Sequence, residues 1–223
     1  MVSLRALIAA LLAASALGAC TPIMRGAVDT LRLSVATPSA LVIDRAEVMA
    51  RPSYQMRLDS PFGSAIMLLA RVERNRQYWV TSSNQVLVIE QGLIRRTSGF
   101  PENLEETRFI ADDAANPLAV GLHRLSLVAS SIREVDWMPG YRYGVRILSR
   151  FQRGDVEERE ILGERLRLLR IDEDFRAEDG LFSGRNRYWV DPGDGFVYIS
   201  EQVPLPGLQL RLTQLRPYRE SSR

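Results

Sequence analysis

The chain has 223 residues, with 29 basic and 27 acidic side chains, one cysteine and one histidine. Every basic residue is an arginine, and the arginines are interspersed with acids instead of clustering on one stripe, which argues against a nucleic-acid-binding surface. The lone cysteine excludes an intrachain disulfide. The lone histidine, His123, excludes a histidine-rich metal site, so we expect no metal and no other cofactor.

The N-terminus has the pattern of a secretory signal. A short basic start is followed by an apolar run, residues 6–17, which is too short to span a bilayer because that requires about 20 residues. The residues before the only cysteine read Leu-Gly-Ala, as in a bacterial lipobox. We therefore expect residues 1–19 to be a signal peptide and Cys20 to carry the lipid. The alternative is an ordinary signal peptide in which the cysteine occurs by chance.

The predicted anchor determines the expected location. In lipoproteins of this kind the thiol takes a diacylglyceryl group and the new amine an acyl chain such as palmitate. Two or more chains hold a protein stably at a membrane, whereas one does so only marginally. Thr21 follows the cysteine where an aspartate would resemble an inner-membrane retention signal, so we expect attachment to the outer membrane, facing the periplasm.

The remainder is predicted to be one domain. Residues 20–40 read as the lipidated cysteine and a tether, residues 41–217 as a single β-rich domain, and residues 218–223 as a frayed C-terminus. A mature chain of about 200 residues is a common size for one all-β domain.

From residue 41 onward, short runs alternate apolar and polar residues and are separated by Pro, Gly, Asn and Asp, a pattern typical of β-strands. The first set of candidate strands covers residues 41–48, 54–58, 65–72, 77–81, 86–90 and 93–97. The second set covers residues 126–128, 132–137, 143–151, 156–162, 165–171, 187–190, 196–201 and 208–213. Between the sets we expect a loop-rich stretch with one helical turn in "NPLAVGLHRL". The predicted fold class is all-β, with antiparallel meanders that form a barrel or sandwich and little helix.

Two segments resemble each other. "QYWVTSSNQVLVI", residues 77–89, and "RYWVDPGDGFVYI", residues 187–199, each predict a hairpin with a polar turn. Pro and Gly strengthen the second turn, because Pro fixes φ and Gly accepts positive φ. The pair indicates either a worn internal duplication or the chance convergence of two aromatic hairpins.

Few residues suggest chemistry. Paired carboxylates occur at residues 112–113, 172/174 and 191/194, and two carboxyl groups can flank a glycosidic bond. Each pair lies in a turn-like or charged stretch where Asp is favoured for structural reasons, so we predict no catalytic residue. Trp79, Trp137 and Trp189 lie in predicted strands, where they can stack on a sugar or a partner, or pack in the core with a bonded N–H.

Two motifs resemble a known family. "QGLIRRTSGFPENL", residues 91–104, is similar to its Arg-Thr-x-Gly-[Leu/Phe]-Pro-x-[Asn/Asp]-Leu hairpin motif. "NRYWVDPGDGFVYISEQVPLPG", residues 186–207, is similar to its C-terminal signature, although Gly-Asp-Gly replaces the Thr-Gly common in the turn. With the lipobox, the chain resembles the GfcB/YjbF group of capsule and exopolysaccharide-associated lipoproteins.

The resemblance implies a non-catalytic lipoprotein that assists production or secretion of capsule or extracellular polysaccharide. It implies as partners an outer-membrane β-barrel protein and other exopolysaccharide export proteins, with the polysaccharide itself as a further candidate. Two alternatives stay open from the residues: a glycan-active hydrolase or lyase that uses Asp191 and Asp194, and a periplasmic binder of hydrophobic cargo, which needs an apolar cavity.

Overall fold

The computed structural model describes residues 41–110 and 116–219. These residues form twelve antiparallel strands in one sheet, two short helices and one 3₁₀ turn. The helices are α1 (Arg45–Ala50) and α2 (Pro117–Val120), and the 3₁₀ turn is Leu122–Arg124. The strands are β1 (Gln55–Ser60), β2 (Gly63–Glu73), β3 (Arg76–Thr81), β4 (Val86–Glu90), β5 (Leu93–Ser98), β6 (Asn103–Phe109), β7 (Val128–Met138), β8 (Arg142–Ile161), β9 (Glu164–Ala177), β10 (Ser183–Val190), β11 (Val197–Leu205) and β12 (Leu208–Arg216).

The sheet is a meander that turns back on itself. Its strand order is β5-β4-β3-β2-β1-β12-β11-β10-β9-β8-β7-β6, so β1 pairs with β12 and every other ladder joins strands that are consecutive in sequence. The result is a nearly closed barrel, and the predicted all-β fold class is confirmed. Both tryptophan-containing segments are hairpins, β3–β4 and β10–β11, as their turn chemistry predicts.

Side chains bridge the seam between the two edge strands. No ladder of backbone hydrogen bonds joins β5 to β6, both of which lie in the described part of the chain. The backbone N–H of Leu104 instead donates to Thr97 Oγ1 at 2.9 Å, and Arg96 Nη2 donates to Glu105 Oε2 at 3.1 Å. Because exposed edges invite pairing with other chains, this bridging protects the barrel where it is open.

Alternation along the strands fills the interior. One cluster of buried side chains, which includes Met56, Trp79 and Leu210, occupies most of it. A second cluster contains Phe151 and Tyr188 and is covered by apolar residues from α2 and the turn that follows it. The short helical stretch predicted between the two strand sets therefore closes one end of the barrel.

The first predicted strand, residues 41–48, is wrong. Residues 41–44 are irregular and α1 follows, because the Asp44 side chain accepts a hydrogen bond from the Ala46 N–H at 3.0 Å and so caps a helix. Val48, at 3% exposure, anchors α1 to the barrel wall beside Leu215. Val48 is the one buried residue of α1, so the apolar residues before it do not form a strand face.

The sequence also predicted some strands incompletely. β6 falls in the stretch that was expected to be rich in loops, yet Leu104 and Thr107 are buried and its charged side chains form ion pairs. β7 and β8 were each predicted as two strands. β8 is continuous because a bulge between Arg153 and Val156 accommodates Gly154 without ending the pairing with β9.

Candidate functional site

A buried carboxylate lies at the centre of a polar network inside the barrel. Glu173 on β9 is fully buried, and its Oε1 accepts hydrogen bonds from Arg133 Nη1 and from Ser149 Oγ, the latter at 2.7 Å. Its Oε2 accepts from Asn186 Nδ2 at 2.8 Å and from Tyr188 Oη at 3.0 Å. Four donors therefore converge on one carboxylate. We call these five residues the Glu173 network.

The network fixes the charge state of its members. Burial alone raises the pKa of Glu173, but the Arg133 charge and the hydrogen bonds from Ser149 and Asn186 outweigh it, so this pKa lies below its ordinary value. Burial and the neighbouring carboxylate raise the pKa of Tyr188 well above its ordinary value. Glu173 is thus ionised and Tyr188 protonated, so neither group gains or loses a proton near neutral pH. This charge state suits a structural ion pair between Glu173 and Arg133.

Two polar residues of the C-terminal motif bond other parts of the sheet: Gln202 reaches the start of β5, and Asn186 joins its two neighbouring strands. Gln202 on β11 donates to the Gly92 carbonyl at 2.8 Å and accepts from the Ile94 N–H at 3.0 Å. Asn186, besides bonding Glu173, accepts from the Val203 N–H at 2.8 Å. The two motifs that carry the family resemblance therefore meet inside the barrel, and these contacts hold the fold together.

The three tryptophans predicted as glycan or partner contacts are buried. Trp79, Trp137 and Trp189 are 0%, 8% and 3% exposed. Trp79 Nε1 donates to Gln77 Oε1 at 3.1 Å, and Trp189 Nε1 donates to Glu157 Oε2 at 2.9 Å. Their rings serve as core packing in this structure, and contact with a glycan stays a prediction that their burial does not favour.

The two similar hairpins face opposite ways. Trp79 lies opposite Leu87 on the inner face of the sheet. Trp189 lies opposite Ile199 on the outer face, beneath α1, while its neighbour Tyr188 points inward to the Glu173 network. An internal duplication of this twelve-stranded barrel would place the second hairpin six strands after the first. The hairpins are instead β3–β4 and β10–β11, seven strands apart. The likeness in sequence is therefore not a likeness in position.

The carboxylates of the hydrolase alternative stabilise a turn. Asp191 Oδ1 accepts from the Gly193 N–H at 2.8 Å, and Asp194 Oδ1 accepts from the Phe196 N–H at 2.9 Å. Arg219 forms ion pairs with both aspartates. Asp side chains commonly form such bonds in turns, so these contacts have a structural explanation. They give neither carboxyl group the distinct environment of a catalytic acid.

The other acidic pairs do not form a site either. Asp172 and Asp174 lie on the outer face of β9, where Asp172 is 3.5 Å from Arg187 and Asp174 accepts from Arg185 Nε at 2.6 Å. Residues 112–113 lie outside the described residues. Within the described ranges, His, Cys, Asp and Glu form no cluster that could hold a metal ion.

The lone histidine and the predicted lipidation site lie elsewhere. His123 is in the 3₁₀ turn at the barrel end, packed against Gly195 of the β10–β11 turn. Cys20 lies outside the described residues. In residues 41–110 and 116–219, no helix has the length and hydrophobicity needed to cross a membrane.

The sequence did not reveal a groove on the outer face of β7, β8 and β9. Its volume is about 460 Å³. Its solvent-facing lining consists of Ser130, Ile132, Leu148, Arg150, Asp174 and Arg176. Period-two alternation in the sequence could have indicated which of these residues are exposed and which neighbours, such as Ser149, are buried. It could not have shown that three strands bring the exposed residues together.

Comparison with known proteins agrees with the fold. The sequence profile described as "Group 4 capsule polysaccharide lipoprotein gfcB, YjbF" matches residues 28–215. The "Uncharacterized lipoprotein GfcB" of Escherichia coli K12 is 24% identical over 206 residues, which cover 90% of this chain and 94% of the relative. The crystal structure of the hypothetical lipoprotein YmcC from Escherichia coli K12 superposes with a TM-score of 0.71 at 22% identity, covering 86% of this chain and 96% of that one.

Proposed function

Because the chain belongs to the GfcB/YjbF family of group 4 capsule polysaccharide lipoproteins, we propose that it is a non-catalytic accessory of capsule or extracellular polysaccharide secretion. The observation that carries this proposal is the family match, which spans residues 28–215 and so includes the barrel strands up to most of β12. The family description supports the capsule-related role, and the structure supports a non-catalytic manner of action.

The structure supports action by contact instead of by catalysis. Glu173, the most buried acidic group among the described residues, is ionised, bonded to four donors and enclosed in the barrel. Asp191 and Asp194 hold a turn. With these groups in structural roles, the outer surface is the part of the molecule that can meet a partner.

Location and partners complete the proposal. Lipid on Cys20 attaches the barrel to the outer membrane, facing the periplasm. There it contacts an outer-membrane β-barrel protein, other export proteins of the same system and the polysaccharide. The lipobox sequence and the family's description as lipoproteins support the anchor.

A complementation experiment tests this function. Deletion should reduce the amount or change the size of surface polysaccharide, and the wild-type gene should restore it. Cys20→Ala should be produced but fail to complement and should not fractionate with the outer membrane. Asp191→Asn combined with Asp194→Asn serves as the catalysis control and should complement fully if it folds. Unchanged polysaccharide after deletion would contradict the proposal, and release of reducing ends from the polymer by the purified wild-type protein would contradict the non-catalytic assignment.

A further inference from the structure

The outer groove has the shape and chemistry of a small ligand site. It is formed by three neighbouring strands, and six of its nine lining residues lie on the solvent-facing side of those strands, so it opens outward. Its volume, about 460 Å³, is that of a site for a small ligand or a few sugar rings. The buried serines Ser131 and Ser149 lie opposite each other beneath it, and the buried Phe175 is paired with Ser149 on the next strand.

The floor of the groove is apolar. Ile132 and Leu148 are directly opposite each other on β7 and β8, on the face away from the core. Ile132 is 37% exposed, so part of this aliphatic side chain is open to solvent and to a ligand. Sugar rings present flat C–H faces that pack on such a surface, and Ser130 adds a hydroxyl at the edge.

Two arginines in the groove lack carboxylate partners. Arg150 is directly opposite Asp174, but that carboxylate accepts two bonds from Arg185, at 2.6 and 3.2 Å. Arg176 is opposite Leu148 on one side and Ser183 on the other. Among the described residues, neither Arg150 nor Arg176 forms an ion pair, whereas most arginines of the barrel do. Two exposed guanidinium groups therefore point to an anionic ligand.

We propose that this groove binds an acidic segment of polysaccharide, with a sugar carboxylate held by Arg150 and Arg176 and a sugar ring on the apolar floor. Guanidinium groups bind carboxylates in a bidentate manner that adds orientation to charge attraction. The aliphatic floor distinguishes a sugar acid from a bare polyanion. This inference rests on the proposed function, since it names the substrate class of a capsule-related accessory.

Binding to a defined uronic acid oligosaccharide tests the inference. The full mature lipoprotein, purified in detergent, should bind tetragalacturonate in a calorimetric titration, and Arg150→Gln with Arg176→Gln should weaken binding at least about tenfold, as expected for lost charge-assisted bonds. Ile132→Ser should weaken it about threefold to tenfold. Arg96→Gln is the matched control, because Arg96 is also exposed but lies on β5 and pairs with Glu105.

Each outcome decides the question. Binding that the groove variants lose and Arg96→Gln keeps supports the proposal. Absent binding, equal loss in the control, equal binding of polyglutamate or equal binding of a neutral glucan overturns it. A deletion phenotype without oligosaccharide binding rejects the groove but leaves the proposed function intact, whereas binding without a phenotype rejects the function alone.

Discussion

Replacement of Glu173 by glutamine should destabilise the barrel by about 3–5 kcal/mol. The substitution keeps the shape of the side chain but leaves the Arg133 guanidinium, whose side chain is only 6% exposed, without its counter-charge. Removing one partner of a buried ion pair costs about 3–5 kcal/mol, because the other charge stays desolvated. The amide also places an N–H₂ group where two of the four donors to Glu173 point, so at least one buried donor loses its acceptor.

Urea unfolding followed by tryptophan fluorescence measures this loss. Thermal unfolding gives a second measurement: at roughly 2–4 °C per kcal/mol for a domain of this size, the melting temperature should fall by about 6–20 °C. Glu105→Gln is the matched control: Glu105 also pairs with an arginine, but both side chains are exposed, at 37% and 56%, so the loss should stay below about 1 kcal/mol.

A double substitution separates charge from packing. Arg133→Met with Glu173→Met removes both charges, and the variant should be more stable than Glu173→Gln, because no unpaired charge stays buried. It should remain below wild type, since Ser149, Asn186 and Tyr188 lose their common acceptor. If the free energy of unfolding of Glu173→Gln lies within about 1 kcal/mol of the wild-type value, or equals that of Glu105→Gln, the buried pair does not stabilise the barrel and this reasoning is refuted.

Three further predictions concern the same interior. Gly92→Ala should lower the free energy of unfolding in urea by about 1–3 kcal/mol, because Gly92 has φ +81° and a Cβ there would clash with Val197 Cγ2. Adding Val197→Ala should recover only the steric part of this loss. Gln202→Leu should cost at least about 2 kcal/mol, because it unpairs the Gly92 carbonyl and the Ile94 N–H, and an unchanged midpoint would contradict this. The folded-state pKa of Glu173 is lowered, so the stability it contributes is complete above the unfolded-state pKa of about 4.3 and is lost as pH falls through the folded-state pKa. Between pH 7 and 3, the free energy of unfolding should therefore fall less for Glu173→Gln than for the wild type.

The hairpins were predictable because local chemistry determines them. The β10–β11 turn contains Asp191 and Asp194, whose side chains bond backbone N–H groups two residues later, as Asp does in isolated turns. β6 was missed because long-range ion pairs, not an apolar alternation, accompany its pairing with β7, as the bond from Arg108 to Asp136 shows. An ion pair between residues 28 positions apart is not visible in a local sequence pattern.

The Glu173 network was missed although a signal was present. "RIDEDF" reads as a solvated acidic stretch, yet Glu173 shares the period-two register of Leu169, Ile171 and Phe175, all buried. A carboxylate in register with apolar residues predicts a buried, paired charge. Its partner was not predictable, because Arg133 lies two strands away and only the barrel geometry brings it close.

The family motifs describe how the barrel is built, which changes where its function should be sought. Asn186 and Gln202 of the second motif bond the barrel interior, and Gly92 and Thr97 of the first accept the bonds that hold β5 in place. Substitutions at these positions should therefore act first on stability and on activity only through it. The groove side chains, in contrast, face solvent. Changing Arg150 should therefore alter ligand binding while leaving the free energy of unfolding within about 0.5 kcal/mol of the wild-type value. A groove variant that unfolded easily would mean that this face, too, serves the fold.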